Sequence, residues 1–198
     1  MNNIKEDMKR MEKIELVAVV GKSGAGKDYC AKRIAKENDW NFVVSSTTRP
    51  KRDYEVEGKD YHFLSYEEFA AARFLETASF NGWHYGTRYE DLDPDRTNIG
   101  VFNPTGLKSL AACKDIDLTI IYIKATDKTR LLRQLNREDN PDVAEIIRRY
   151  QTDEKDFREY EIEHEDNVFY IDNNAGELAP KAELILSMCR AFGQNRLN

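Results

Sequence analysis

Residues 21–28 read Gly-Lys-Ser-Gly-Ala-Gly-Lys-Asp, the spacing G-x-x-x-x-G-K of a phosphate-binding loop. Glycines let main-chain amides converge on an anion without Cβ clashes. A helix opening at Lys27 adds unpaired N–H groups and a positive partial charge. Lys27 is spaced to reach terminal phosphates and offset charge as a phosphoryl group moves. The whole loop, Gly21, Lys22, Ser23, Gly24, Ala25, Gly26, Lys27 and Asp28, is therefore a candidate triphosphate cradle. The hydroxyl usual at its last position is replaced by Asp28, a hard oxygen donor suited to Mg²⁺. Asp28 also suits the first turn of a helix, where its charge meets the dipole.

A second cluster is Ser45-Ser-Thr-Thr-Arg49-Pro-Lys-Arg52, followed by Glu55, Gly58 and Asp60-Tyr61-His-Phe63. Two guanidinium forks three residues apart match a phosphate dianion, and Tyr61 adds a phenolic hydrogen bond. A solvated basic loop has the same composition. A third cluster holds Arg133, Arg137 and Arg149, with Arg133 and Arg137 expected on one helix face. These arginines either converge on phosphates or form a solvated face paired with Glu138, Asp142 and Glu145.

The elements that must carry these groups alternate. Apolar runs at 14–20, 41–44, 98–102, 118–123 and 168–171 read as buried strands. Between them lie helical patterns: 27–38; one after Asn103-Pro104 with Leu107, Leu110 and Ala111; one with Leu131, Leu132 and Leu135. A longer stripe follows from Asn140-Pro141 through Val143, Ile146, Ile147, Tyr150 and Phe157, and a last one through Leu178, Ala182, Ile185, Cys189 and Phe192. The alternation predicts a parallel α/β sheet flanked by helices. Residues 45–95 break it with polar, turn-rich, aromatic sequence, and read as an inserted small subdomain. Within it Ser65 and Glu68 form a capping box.

The chain has 198 residues with 30 Lys plus Arg against 36 Asp plus Glu, a formal charge of −6. An acidic balance speaks against non-specific nucleic-acid binding. Forty per cent apolar residues excludes a fully disordered chain. The longest apolar run, Leu16–Val20, is far short of a membrane span. Three scattered cysteines, Cys30, Cys113 and Cys189, make no disulfide framework, and the charged start lacks a signal-peptide core. A reducing cytoplasm is expected.

The run S-S-T-T-R-x-x-R-x-x-E-x-x-G-x-D-Y-x-F, complete from Ser45 to Phe63, resembles the acceptor-nucleotide signature of the guanylate kinase family. Phe74-Leu-Glu76 and Gly82-Trp-His-Tyr85-Gly86-Thr87 resemble that family's next block. The resemblance runs from Glu15 to about Arg149 and is weakest at 88–103. It implies a single domain over 1–198: a P-loop core (14–44 and 96–198), a mixed-β subdomain for the nucleoside monophosphate (45–95) and a helical lid (133–151). It implies ATP and Mg²⁺ as cofactors and phosphorylation of GMP, with dGMP as a further acceptor. By the same resemblance Arg49, Arg52, Tyr61 and Tyr85 would hold the GMP phosphate, and Ser45, Glu76 and Thr87 would read guanine. Lys27, Arg49, Arg133, Arg137 and Arg149 would carry catalysis. Read alone, Glu76 is a surface acid and Thr87 a sheet hydroxyl.

The family's usual D-x-D before a helix is here Val101-Phe-Asn103. Asn103 keeps an oxygen without the charge and is also a helix cap. We expect Asp28 to replace the lost acid as magnesium anchor; Asp91, Asp93 and Asp95 are the rival source. The departures leave two other readings open: a kinase of another phosphorylated acceptor, and a non-catalytic guanylate-kinase-like binding module. The intact Gly21, Gly26 and Lys27 weigh against the module.

Overall fold

The computed structural model describes residues 13–53, 55–80, 82–137, 140–159 and 168–174. The expected last helix, with Cys189, and the segment before Lys13 lie outside them. Strand β1 (Ile14–Val20) leads through the glycine loop into helix α1 (Lys27–Asn38). Strands β2 (Asn41–Phe42), β3 (Ser46–Thr47) and β4 (His62–Phe63) follow, then helix α2 (Tyr66–Ala71) and the hairpin β5 (Phe74–Phe80) and β6 (Trp83–Arg88). The chain returns through β7 (Asn98–Val101), α3 (Pro104–Ala112), β8 (Ile116–Lys124), α4 (Asp127–Leu135), α5 (Val143–Glu159) and β9 (Val168–Asp172).

The predicted parallel sheet is present, ordered β2-β7-β1-β8-β9 with every pairing parallel. Its central strands β7 and β1 are largely buried on both faces, which is why such strands read as continuous apolar runs. Side chains alternate across β1. Val17 and Val19 pack with Cys30, Ala31 and Ile34 of α1 on one face. Leu16, Ala18 and Val20 pack with Leu107 and Leu110 of α3 on the other. Asn103 caps α3 as expected: its Oδ1 accepts from Gly106 N at 2.7 Å, with Pro104 in the first turn.

Residues 45–95 do leave the alternation. They build a second, mixed sheet ordered β4-β3-β6-β5, with α2 entered through the expected Ser65–Glu68 capping box. α3 lies against both β5 and β8, so the two sheets meet across it.

Both helices form where the sequence places them, but not every residue of their apolar stripes is buried. The stripe Leu131, Leu132, Leu135 is not the buried face of α4: Leu132 is 47% and Leu135 37% exposed, whereas Arg130 is 1% exposed. Arg130 is tolerated inside because acids from α4 and α5 surround it. Likewise Val143 and Ile147 of α5 are half-exposed, and only Ile146 and Phe157 reach the core side. Arg133 and Arg137 also do not share a helix face, since α4 ends at Leu135 and Asn136 turns the chain away.

Replacing Ile121, fully buried in β8, by Ala should lower stability by about 2–5 kcal/mol in urea unfolding. Leu132→Ala should change it by less than about 0.5 kcal/mol, since that side chain already meets water.

Candidate active site

The loop after β1 is shaped by three glycines with positive φ, Gly21, Gly24 and Gly26. A Cβ on Gly21 (φ 148°) would lie 2.3 Å from the Ile123 carbonyl oxygen of β8. One on Gly24 (φ 79°) would lie 2.5 Å from the Arg130 carbonyl oxygen of α4. The loop is thus wedged between two backbones, and only glycine fits. Gly26, at the N-cap of α1, offers no side chain to the first-turn amides, which leaves them to a ligand. Lys27 Nζ donates to Lys22 O at 3.3 Å. Burial pushes the Lys27 ammonium below its ordinary value; Asp28 and Asp153 oppose this, and Arg130 adds to it.

The loop opens into a cleft of about 1270 Å³ between the two sheets and the α4–α5 pair. Ser23, Gly24, Gly26, Lys27 and Asp28 of the loop line it together with Ser45, Arg49, Arg52, Tyr61 and Tyr85. Arg133, Arg137 and Arg149 close the side. The three sequence clusters therefore share one space. Gly21, Lys22 and Ala25 do not line it: Ala25 is fully buried, and Lys22 is ion-paired with Glu154.

Glu76 and Thr87 stand next to the cleft, on neighbouring strands β5 and β6. Thr87 Oγ1 donates to Glu76 Oε1 at 2.9 Å. Glu76 Oε2 and Asn103 Oδ1 flank Gly106: a Cβ there would lie 3.2 Å from the first and 3.3 Å from the second. Asn103 itself lines the cleft, so Glu76 borders it through that residue. Burial raises the Glu76 carboxyl above its usual value, and the Thr87 hydrogen bonds only partly offset this.

The arginines are held by acids: Glu145, named by the sequence as a partner of the third cluster, holds Arg149, and Glu55 holds Arg49. Arg49 grips Glu55 with both terminal nitrogens, Nη1 to Oε2 at 3.0 Å and Nη2 to Oε1 at 2.7 Å. The same carboxylate accepts from Arg52 N at 2.8 Å. Tyr61 and Phe63 flank the guanidinium at 5.5 and 5.8 Å from their ring centres. Burial alone would raise the Glu55 carboxyl, but the Arg49 fork, the Arg52 amide and both positive charges outweigh it and hold it low. The signal was present in R-x-x-R-x-x-E, where the acid follows the second arginine by three residues.

Arg133 is bolted to the phosphate loop: Nη1 lies 3.3 Å from Gly24 O and 3.4 Å from Ala25 O, and Nη2 2.8 Å from Asn173 O. Arg149 Nε donates to Glu145 Oε1 at 2.7 Å, and Arg148, another cleft residue missed in sequence, grips the same carboxylate through two nitrogens. Those contacts draw Glu145 down to about 2. Asp153, on α5, was also missed. It lines the cleft and accepts from Ser23 N at 2.6 Å.

The rival acids for the magnesium site are excluded from the cleft. Asp91 and Asp93 are engaged by Arg88 and Arg96, and neither they nor Asp95 line the cleft. Asn173, just after β9, is buried and donates Nδ2 to Ala25 O at 2.7 Å, so it ties β9 to the loop.

A P-loop joined to a parallel sheet, lining one cleft with arginines of the second sheet's subdomain, defines the chain as an α/β nucleotide-binding phosphotransferase. The chain belongs to the guanylate kinase family: that family's profile matches residues 13–181. It is 33% identical over 165 residues to the guanylate kinase of Maricaulis maris, covering 79% of this chain and 73% of that one. It is 30% identical over 194 residues to that of Onion yellows phytoplasma, covering 93% and 89%. The crystal structure of guanylate kinase from Anaplasma phagocytophilum has the same fold, with TM-score 0.61 at 18% identity over 91% of this chain and 86% of that one.

Glu55→Gln should destabilise the protein by about 2–3 kcal/mol, because it leaves the Arg49 fork without a charge partner. The folded-state carboxyl lies below its unfolded value. Its contribution is therefore full above the ordinary carboxylate value and lost as pH falls through the depressed one. Urea unfolding at several pH values should show that acid-side loss in the parent and less of it in the variant.

Proposed function

We propose that the chain transfers the γ-phosphoryl group of ATP to the phosphate of GMP, giving ADP and GDP. The reading is carried by one observation: Lys27 of the loop and Arg49, Tyr61 and Tyr85 of the second sheet's subdomain line one and the same cleft. The loop amides and Lys27 bind the donor phosphates. Arg52, Tyr61 and Tyr85 hold the acceptor phosphate, with Arg49 oriented by Glu55. Ser45, Glu76 and Thr87 read the base. An ionised Glu76 accepts from guanine N1–H and the exocyclic amine, a donor pair adenine lacks. Residues 45–95 act as the acceptor subdomain and 133–151 as the lid, on a core of 14–44 and 96–198.

An acceptor phosphate oxygen attacks the γ-phosphorus, and the bond to the β-phosphate oxygen breaks. The nucleophile is already anionic, so no general base is needed. Catalysis then rests on positioning and charge. Lys27, Arg137 and Arg149 offset charge on the moving group, while Arg133 braces the loop. Closure around the cleft keeps water from the γ-phosphate.

Mg²⁺ fits the donor set. It commonly binds through one or two carboxylates plus substrate phosphates rather than a protein cage. No cluster of three or more metal-type side chains occurs among the described residues, while Asp28 stands on the cleft beside Lys27. When bound, the ion would neutralise the donor phosphates; Asp28 would hold it. A reducing cytoplasm is the compartment proposed for this reaction.

A coupled assay of ATP with GMP, dGMP, AMP, CMP and UMP tests the reading. Turnover selective for GMP and dGMP is expected. Selectivity for another acceptor would favour the reading in which Asn103, lacking the family's acid, admits a different base. Glu76→Gln should weaken GMP about a hundredfold. Because burial raises the Glu76 carboxyl, GMP affinity in the parent should fall on acidification starting above the ordinary carboxylate value, and the variant should lose that dependence. Asp28→Ala should raise the Mg²⁺ concentration needed for half-maximal rate; an unchanged Mg²⁺ titration would remove Asp28 from the metal site.

A further inference from the structure

The phosphate loop already holds an anion of the protein's own. Ser23 N–H donates to Asp153 Oδ2 at 2.6 Å, and Lys22 Nζ pairs with Glu154 Oε1. The two acids are adjacent on α5. A carboxylate presents charged acceptor oxygens, as a phosphoryl group does, to the same kind of donors: a loop amide and a loop ammonium. Asp153 also lines the cleft, so it stands where a ligand must enter.

A third residue backs both acids. Arg130 is 1% exposed, beneath the Tyr150 ring at 5.0 Å. Its Nη2 lies 3.3 Å from Asp127 Oδ1 and 3.4 Å from Glu154 Oε1, and its Nη1 lies 4.0 Å from Asp153 Oδ2. Its Nε and Nη1 are buried without a hydrogen-bond partner among the described residues. Buried donors are ordinarily paired. A guanidinium with two unused donors directly beside both carboxylates is a second seat for them.

We propose that Asp153 and Glu154 form an internal latch that occupies the phosphate loop in place of a nucleotide. A triphosphate binds by displacing the carboxylates from Ser23 and Lys22 toward the unused donors of Arg130. The latch thereby competes with the donor nucleotide and lowers its apparent affinity by the fraction of molecules it keeps closed. Release frees Lys22 as a further cation for the triphosphate. This inference rests on the reading of the loop as a triphosphate site.

The test is calorimetric titration of the full chain and of the variants Asp153→Asn, Glu154→Gln and the double variant. Two probes are used: ATP with Mg²⁺, and inorganic tripolyphosphate without metal. The latch predicts that the double variant binds both probes about tenfold more tightly than the parent, with smaller gains in the singles. The singles, each keeping one carboxylate on Arg130, carry the test if the double variant does not fold. Unchanged or weaker affinity for tripolyphosphate in folded variants overturns the latch. Weaker binding confined to ATP with Mg²⁺ also overturns it, and would make the acids metal holders. Absence of binding to either probe in parent and variants alike overturns the triphosphate reading, and the latch with it.

Discussion

Concentrated positive potential at the end of a parallel sheet is the constraint around which the molecule is built. The first-turn amides of α1, Lys22, Lys27 and the buried Arg130 converge within one loop and its support. Such a site binds anions only if its donors remain unsatisfied by the protein, and an unsatisfied buried donor is destabilising. The fold answers with acids that pair the cations without filling the cleft permanently. Asp127 and Glu154 hold Arg130, and Asp153 takes the Ser23 amide.

The arginines of the cleft follow the same logic. Arg49 reaches the cleft already fixed by Glu55, and Arg149 by Glu145. A guanidinium so held loses less rotational freedom when a phosphate arrives, and it keeps donors in a fixed fork. The acids therefore orient the arginines rather than merely neutralising them. Arg133 extends the arrangement by joining the loop carbonyls to the end of β9, so α4, the loop and the last strand behave as one support.

The base side of the cleft is where this chain departs from its family's pattern. Asn103 gives its oxygen to the α3 amide at Gly106, while Glu76 packs against the same glycine. With no charge at position 103, Glu76 has no acidic neighbour there. Its raised carboxyl reflects burial rather than repulsion between acids. In the proposed reading, the base would be met by Glu76, Thr87 and Ser45.

The alternating apolar runs and helical patterns settled the parallel sheet, because strands buried on both faces leave no freedom in their sequence. The glycine loop was equally legible as a spacing of residue types, although the backbones that Gly21 and Gly24 pass, at Ile123 and Arg130, are distant in sequence. The signature from Ser45 to Phe63 marked the second cluster for the same reason, as a run of neighbours along the chain. Tertiary structure alone decided which charges meet. Arg130 is buried while Leu132 of the same helix is half-exposed, because acids on α4 and α5 make a polar interior acceptable there. Asp153 faces Ser23 across 130 positions of sequence. Pair energies depend on distance and burial in three dimensions, and no local pattern of residue types records either across so long a separation.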